Sequence, residues 1–131
     1  MRILLDTHIW LWLNQSPKEL PTDALEKLTD EANVLYLSAA SAWEIAIKHQ
    51  LKKLHLPMPP EIYIPKRLSD NGILALPIDL DHTLRASALP MHHKDPFDRM
   101  IVAQAMLEDL MLMTADPHIK LYETSMIWVA R

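Results

Sequence analysis

The sequence predicts an α/β sandwich built on a mainly parallel sheet. Short apolar runs of strand length recur along the chain, and they lack the in/out alternation of a sheet with one wet face. Helical patterns of apolar residues lie between them. Strand and helix in alternation mean parallel strands joined by crossover helices that cover the sheet. With 131 residues, half of them hydrophobic, residues 1–131 form a single domain that can bury a core without staples.

The first strand is Arg2–Leu5, and a helix begins at Thr7 behind Asp6, a residue type suited to an N-cap. Thr22–Glu31 is amphipathic, with Leu25 and Leu28 inward and acids outward. Val34–Leu37 is the second strand. Ala39–Leu54 is a long helix with Trp43, Ile47, Leu51 and Leu54 on one stripe. The proline-bearing stretch Leu56–Pro65 reads as a loop into a weaker helix, Glu61–Asn71. Gly72, the single glycine, follows at a C-cap position. Ile73–Pro77 is the third strand and Asp81–Leu89 a short helix. Asp95 caps the helix Pro96–Asp109, with Pro96 in its first position and Met100, Ile101, Ala103, Met106 and Leu107 along it. Leu110–Thr114 and Met126–Val129 complete the set of strands, Trp128 in the last being assigned to the core.

Composition excludes several chemistries. There is no cysteine, hence no disulfide, thiolate metal site or cysteine nucleophile. One glycine cannot build a glycine-rich phosphate loop, so P-loop and dinucleotide-binding readings fall. The opening MRILLDTHIWLWLN is interrupted by Asp6-Thr7-His8 and has no small-residue cleavage site, so it is not read as a signal peptide. No apolar run reaches the roughly 18 residues a membrane helix needs. A soluble cytoplasmic domain without a membrane role is expected. The net charge of −4 argues against nucleic-acid binding by charge alone. The charge is uneven, however: Ser41–Arg67 carries Lys48, Lys52, Lys53, Lys66 and Arg67 against Glu44 and Glu61.

Four carboxylates, Asp6, Glu44, Asp98 and Asp116, each have an ordinary structural explanation. Asp6 and Asp116 suit N-caps, and Asp98 lies in the first turn behind Asp95. Glu44 fits a capping box with Ser41 or an i, i+4 pair with Lys48. Every explanation puts its acid near a helix N-terminus, just past a strand. In a parallel sheet those junctions share one edge, outside which open α/β folds bind ligands. Carboxylates gathered there raise one another's pKa and need a cation or shared protons. Oxygen ligands point to Mg²⁺ or Mn²⁺. Such an ion suits phosphodiester hydrolysis, since it acidifies a bound water and offsets charge on the phosphate. Thr7, Ser38 and Thr114 stand at strand ends, where a hydroxyl either orients a carboxylate or water or caps a helix.

Three blocks, LLDTHIWLW, SAASAWEIAIKHQLKKLHLP and LPMHHKDPFDRMIVAQAMLEDLMLMTADPHI, resemble PIN-domain proteins in order and spacing. Within that superfamily they look most like the VapC-type toxins of bacterial toxin–antitoxin pairs, in register over nearly the whole chain. The resemblance implies a three-layer α/β/α sandwich with a mainly parallel five-stranded sheet, and Mg²⁺- or Mn²⁺-dependent endoribonuclease activity. It implies catalytic metal ligands at Asp6, Glu44 and Asp98, with Asp116 matching a fourth, more variable acid. Asp95 takes a capping and supporting role. Lys48, Lys52, His92, His93, Lys94 and Arg99 are expected to contact RNA phosphates. Trp10, Trp12 and Trp43 are assigned to core or dimer contacts. A homodimer and a cognate antitoxin, bound in an apolar groove with an acidic end, are also implied; the early Trp and Leu residues and the Ala39–Leu54 helix would line that groove. Two readings stay beside this one: a non-catalytic PIN-like scaffold for RNA or protein, and a PIN nuclease acting on single-stranded DNA. A phosphotransferase is disfavoured, because Thr7-His8-Ile9 follows the first acid where that chemistry favours a second acid.

Overall fold

In the computed structural model, which describes residues 1–131, the strands are β1 (Arg2–Leu5), β2 (Val34–Ser38), β3 (Leu74–Leu76), β4 (Met111–Thr114) and β5 (Met126–Trp128). The helices are α1 (Thr7–Gln15), α2 (Thr22–Thr29), α3 (Ala39–Gln50), α4 (Pro60–Asn71), α5 (Leu80–Ala88) and α6 (Pro96–Glu108). Short 3-10 turns cover Pro17–Glu19 and Ile119–Leu121. The strands form one parallel sheet in the order β3-β2-β1-β4-β5. The chain therefore walks outward from β1 through β2 and β3, then returns to β1's other side for β4 and β5. The order reverses between β1 and β4, which makes that junction the place for a ligand crevice.

Pleating splits β1 between two cores. Ile3 and Leu5 join Ile9, Trp10, Ile45, Tyr63 and Ile73 from α1, α3 and α4 and the start of β3's approach. Leu4 faces the other way, into Leu112, Ile101, Val102, Ala103 and Ala105 beneath α6. Both faces of the sheet are covered, so the three-layer sandwich is as expected and the strands lack alternation for the stated reason.

Three helices end in the same way. After α3, Lys52 takes a left-handed φ of 60°, with Lys53 N–H bonded to Lys48 O (2.9 Å) and Lys52 N–H to His49 O (3.0 Å). After α4, Gly72 does the same at φ 66°, as its position predicts. After α6, Asp109 adopts φ 54°. These are left-handed C-caps, of the Schellman type after α3 and α4. The first cuts α3 short of the expected Leu54.

Two further expectations are corrected. Helix α4 starts at Pro60, so the loop ends at Pro59 and Pro65 lies inside the helix. The stripe predicted as the buried face of α3 is not its buried face: Trp43 is 63% exposed and Leu51 58%, while Ile47 and Leu54 are half-buried. The helix instead buries Ala40, Ser41, Glu44 and Ile45, two of them polar. Trp43 packs edge-on against Phe97, ring centres 5.5 Å apart. Trp10 is fully buried, whereas Trp128 is half-buried under the Lys120 ammonium.

Candidate active site

The end of β1 delivers Asp6 to the switch point. Asp6 occupies the N-cap position of α1, but its side chain makes no cap bond. Its Oδ2 accepts instead from Thr114 Oγ1 at 2.7 Å, across the β1–β4 pair. The same Thr114 hydroxyl accepts from Asp116 N–H at 3.0 Å, which commits its proton to Asp6. One residue on, Thr7 Oγ1 lies 3.0 Å from Glu44 Oε1 and 2.8 Å from Ser41 Oγ. Glu44 reaches this place because α3 turns a polar face inward. Its other oxygen receives Lys48 Nζ at 2.8 Å, and that bond pushes the ammonium's pKa up.

Asp98 comes from the first turn of α6. Asp95 caps that helix, accepting from Phe97 N–H (2.8 Å) and Asp98 N–H (3.2 Å), so the expected cap is the observed one. Asp98 Oδ2 and Asp116 Oδ2 both lie 3.0 Å from His93 Nε2. Asp116 Oδ1 also accepts from His118 N–H at 2.8 Å. The four predicted acids thus share one edge of the sheet, tied by Thr7, Thr114 and His93. Ser38 is different: its hydroxyl caps α3 at Ala40 N–H, 3.0 Å away, and takes no part in holding an acid.

The electrostatics follow from crowding. Burial pushes the Asp98 carboxyl up to about 8, with the charges of Asp6, Asp95, Glu44 and Asp116 adding to it. The His93 ring nitrogen, 3.0 Å away, hydrogen-bonds Asp116 and not Asp98. Burial also pushes Asp6 up, against the Thr114 hydrogen bond. Asp116 goes the other way: burial opposes its ionisation, but the His118 N–H and the His93 contact outweigh that and hold it below the usual range. The edge therefore combines one firmly ionised acid with one that retains its proton at neutral pH.

Potential ligand atoms already within 4.8 Å of one another belong to His93, Asp116 and His118, rather than to three of the carboxylates. A similar group, Asp79, His82 and Glu108, lies at the far end of α6. There the buried His82 closes a capping box at the start of α5 and meets Glu108 Oε1 at 2.9 Å, so its nitrogens are used.

Of the residues expected at RNA, Lys52, His92 and Lys94 are exposed and Lys48 is half-exposed beside Glu44. Arg99 is a correction. It is buried, and its guanidinium donates to the carbonyls of Ala86, Leu89 and Pro90 at 2.8–3.1 Å. Those bonds fasten the end of α5 to α6 and leave no face for a phosphate. His93 is likewise turned towards the acids rather than outward.

The PIN domain profile matches residues 3–124, nearly the whole chain. The chain belongs to the PIN domain family. Ribonuclease VapC16 of Mycobacterium tuberculosis is 48% identical over 63 residues, a stretch covering 47% of this chain and 45% of that protein. The chain thus spans under half the length of that curated relative. Among solved structures, VapBC2 from Rickettsia felis, bound to a DNA fragment from its promoter, aligns with a TM-score of 0.72 at 17% identity, covering 99% of this chain and 100% of that one. A toxin–antitoxin complex from Klebsiella pneumoniae aligns at 0.62 and 19% identity, covering 95% of each chain. At such identities the shared property is the fold.

Within this PIN domain the sequence reading missed His93 and His118 as partners of Asp116, and Ser41 as a partner of Thr7. Ser41 had a signal, its spacing from Glu44, but was read as a cap. His93 had a signal, its place beside Asp95 and Asp98, but was assigned to RNA; His118 had none, since its contact depends on how the chain turns after β4.

Proposed function

We propose that this PIN domain is an endoribonuclease that depends on Mg²⁺ or Mn²⁺ and acts as the toxin of a toxin–antitoxin pair. The observation that carries the reading is the gathering of Asp6, Glu44, Asp98 and Asp116 at one sheet edge, crowded enough that burial and the neighbouring acids push the Asp98 carboxyl up to about 8. Such a cluster is relieved either by a proton or by a cation. The donor set fits a hard divalent ion: carboxylate oxygens, no thiolate, and hydroxyls that hold Asp6 and Glu44 in place. Asp6, Glu44 and Asp98 would hold the ion, with Asp116 beside them. Bound there, it would acidify a water and offset charge on the scissile phosphate. The chain's own residues do the rest. Thr114 and Thr7 fix two carboxylates, and Lys48 keeps a positive charge at the rim. Lys52, His92 and Lys94 are placed to meet RNA phosphates along the exposed side.

The name of VapC16 supports ribonuclease activity, and the toxin–antitoxin complexes of like fold support a protein partner. A groove between α1 and α3 fits the partner: Leu11, Trp12, Ile45 and Leu54 line it, with Thr7 and Lys48 at the end nearest Glu44. A homodimer belongs to the same reading. No helix is long and apolar enough to cross a membrane.

The test is cleavage of structured RNA, and of DNA of the same sequence, by chelator-stripped protein with Mn²⁺ or Mg²⁺ restored. Cleavage of RNA alone, abolished by chelator, is the expected result. Intact RNA with the cation present would favour the non-catalytic scaffold, and cleaved single-stranded DNA would favour the other nuclease.

A further inference from the structure

His93 lies against two of the acids yet has no part in the reading above. It sits in the loop between α5 and α6, beside the exposed His92 and Lys94. Its backbone is pinned from two directions. His93 N–H donates to Tyr122 Oη at 3.0 Å, and Arg99 donates to His93 O at 3.3 Å. Tyr122 Oη in turn donates to Pro90 O at 2.8 Å, so the loop is held at both ends.

The ring is fixed as well. Nδ1 accepts the Asp95 backbone N–H at 3.2 Å. Nε2 lies 3.0 Å from Asp98 Oδ2 and 3.0 Å from Asp116 Oδ2. A ring nitrogen that accepts a hydrogen bond carries its lone pair, so a neutral imidazole then bears its proton on the other nitrogen. Nε2 is therefore a donor, and a donor has no lone pair to offer a cation. Although His93, Asp116 and His118 are close enough to hold an ion, ligation through Nε2 would require His93 to break its Asp95 bond and move the proton to Nδ1. As a donor the ring already has suitable partners. It hydrogen-bonds Asp116 Oδ2 and keeps Asp98 Oδ2 at the same 3.0 Å distance.

We propose that His93 is a positioning residue, whose Nε2–H bonds Asp116 while its ring nitrogen stands against Asp98, setting the two acids side by side for a divalent cation. Asp95 then serves twice. Its carboxylate caps α6 and starts the helix at Asp98, and its backbone N–H sets the His93 tautomer. Outer hydrogen bonds of this kind orient carboxylate ligands and affect metal affinity strongly. The inference rests on the cation-dependent reading of the site.

The experiment titrates Mn²⁺ into the whole chain, following free Mn²⁺ by EPR, for the wild type, His93→Gln and His93→Leu. Glutamine keeps an N–H near the Nε2 position; leucine does not. Glutamine should bind within about threefold of wild type, and leucine should weaken binding by about tenfold or more. Pulsed EPR of Mn²⁺-loaded protein carrying ¹⁵N-histidine should show no coordinated His93 nitrogen. Leucine binding as wild type, or glutamine failing as leucine does, would overturn the proposal. So would a coordinated nitrogen signal that disappears in His93→Gln. If leucine does not fold, ¹⁵N NMR of metal-free wild type still decides: a proton on Nδ1 rather than Nε2 refutes the donor role. A wild type that binds no Mn²⁺ would refute the nuclease reading itself, and this inference with it.

Discussion

At the scale of residues, the site is a competition between carboxylates for too little positive charge. Asp98 is the loser, and its pKa near 8 has a sign that can be checked. The unfolded chain releases that proton near the ordinary 3.8, whereas the folded chain keeps it until about 8. The folded state thus binds more protons in between, and folding stability must fall as pH rises through that window. Metal-free protein should melt at progressively lower temperature from mildly acidic to mildly alkaline pH. Asp98→Asn should flatten this slope and melt higher at the alkaline end, as a pH series of thermal melts would show. In RNA cleavage assays, Asp6→Asn and Asp98→Asn should each abolish turnover while leaving the fold intact. Asp95→Asn should be mild in both respects, because asparagine caps a helix about as well as aspartate. Wild-type cleavage by either Asp6→Asn or Asp98→Asn would show that the site has been placed wrongly.

At the scale of elements, the sequence was most legible where the pattern was unambiguous. β1 occupies Arg2–Leu5 as read, since a short apolar run ended by Asp6 leaves little choice. Asp95-Pro96 and Gly72 marked helix ends by their side-chain chemistry alone. The misread element is α3. Its apolar stripe through Trp43 and Leu51 suggested a buried face, but the helix turns Ser41 and Glu44 inward to meet Thr7. Periodicity assumes that the buried face is the apolar one, and a helix that turns polar side chains inward breaks that assumption. The C-caps at Lys52 and Asp109 were also hidden, because neither residue announces a left-handed turn as glycine does. Lys52→Gly should therefore stabilise the fold by about 0.5–1 kcal/mol, read as a higher denaturation midpoint. Arg99 shows the opposite error, a charge taken for surface. Arg99→Ala leaves buried carbonyls without partners and should cost on the order of 3 kcal/mol in chemical denaturation. An unchanged midpoint would mean that its hydrogen bonds do not hold α5 to α6.

At the scale of the molecule, the parallel order β3-β2-β1-β4-β5 is what brings distant parts of the sequence together. Asp6 ends the first strand, Thr114 the fourth, and Asp98 opens the helix between them. Their spacing in sequence could place these acids along one edge. It could not show that Thr114 bridges Asp6 and Asp116, or that His93 spans Asp98 and Asp116. The apolar groove between α1 and α3 opens beside Glu44, so a partner lying in it would also approach the acids. The central claim is that these acids share one divalent cation. Isothermal titration of Mn²⁺ near neutral pH, repeated in buffers of different ionisation enthalpy, tests it most directly. The account predicts that binding expels about one proton per cation, since Asp98 must ionise to join the site, and that Asp98→Asn abolishes this release. Binding without proton release, or no binding at all, would contradict it.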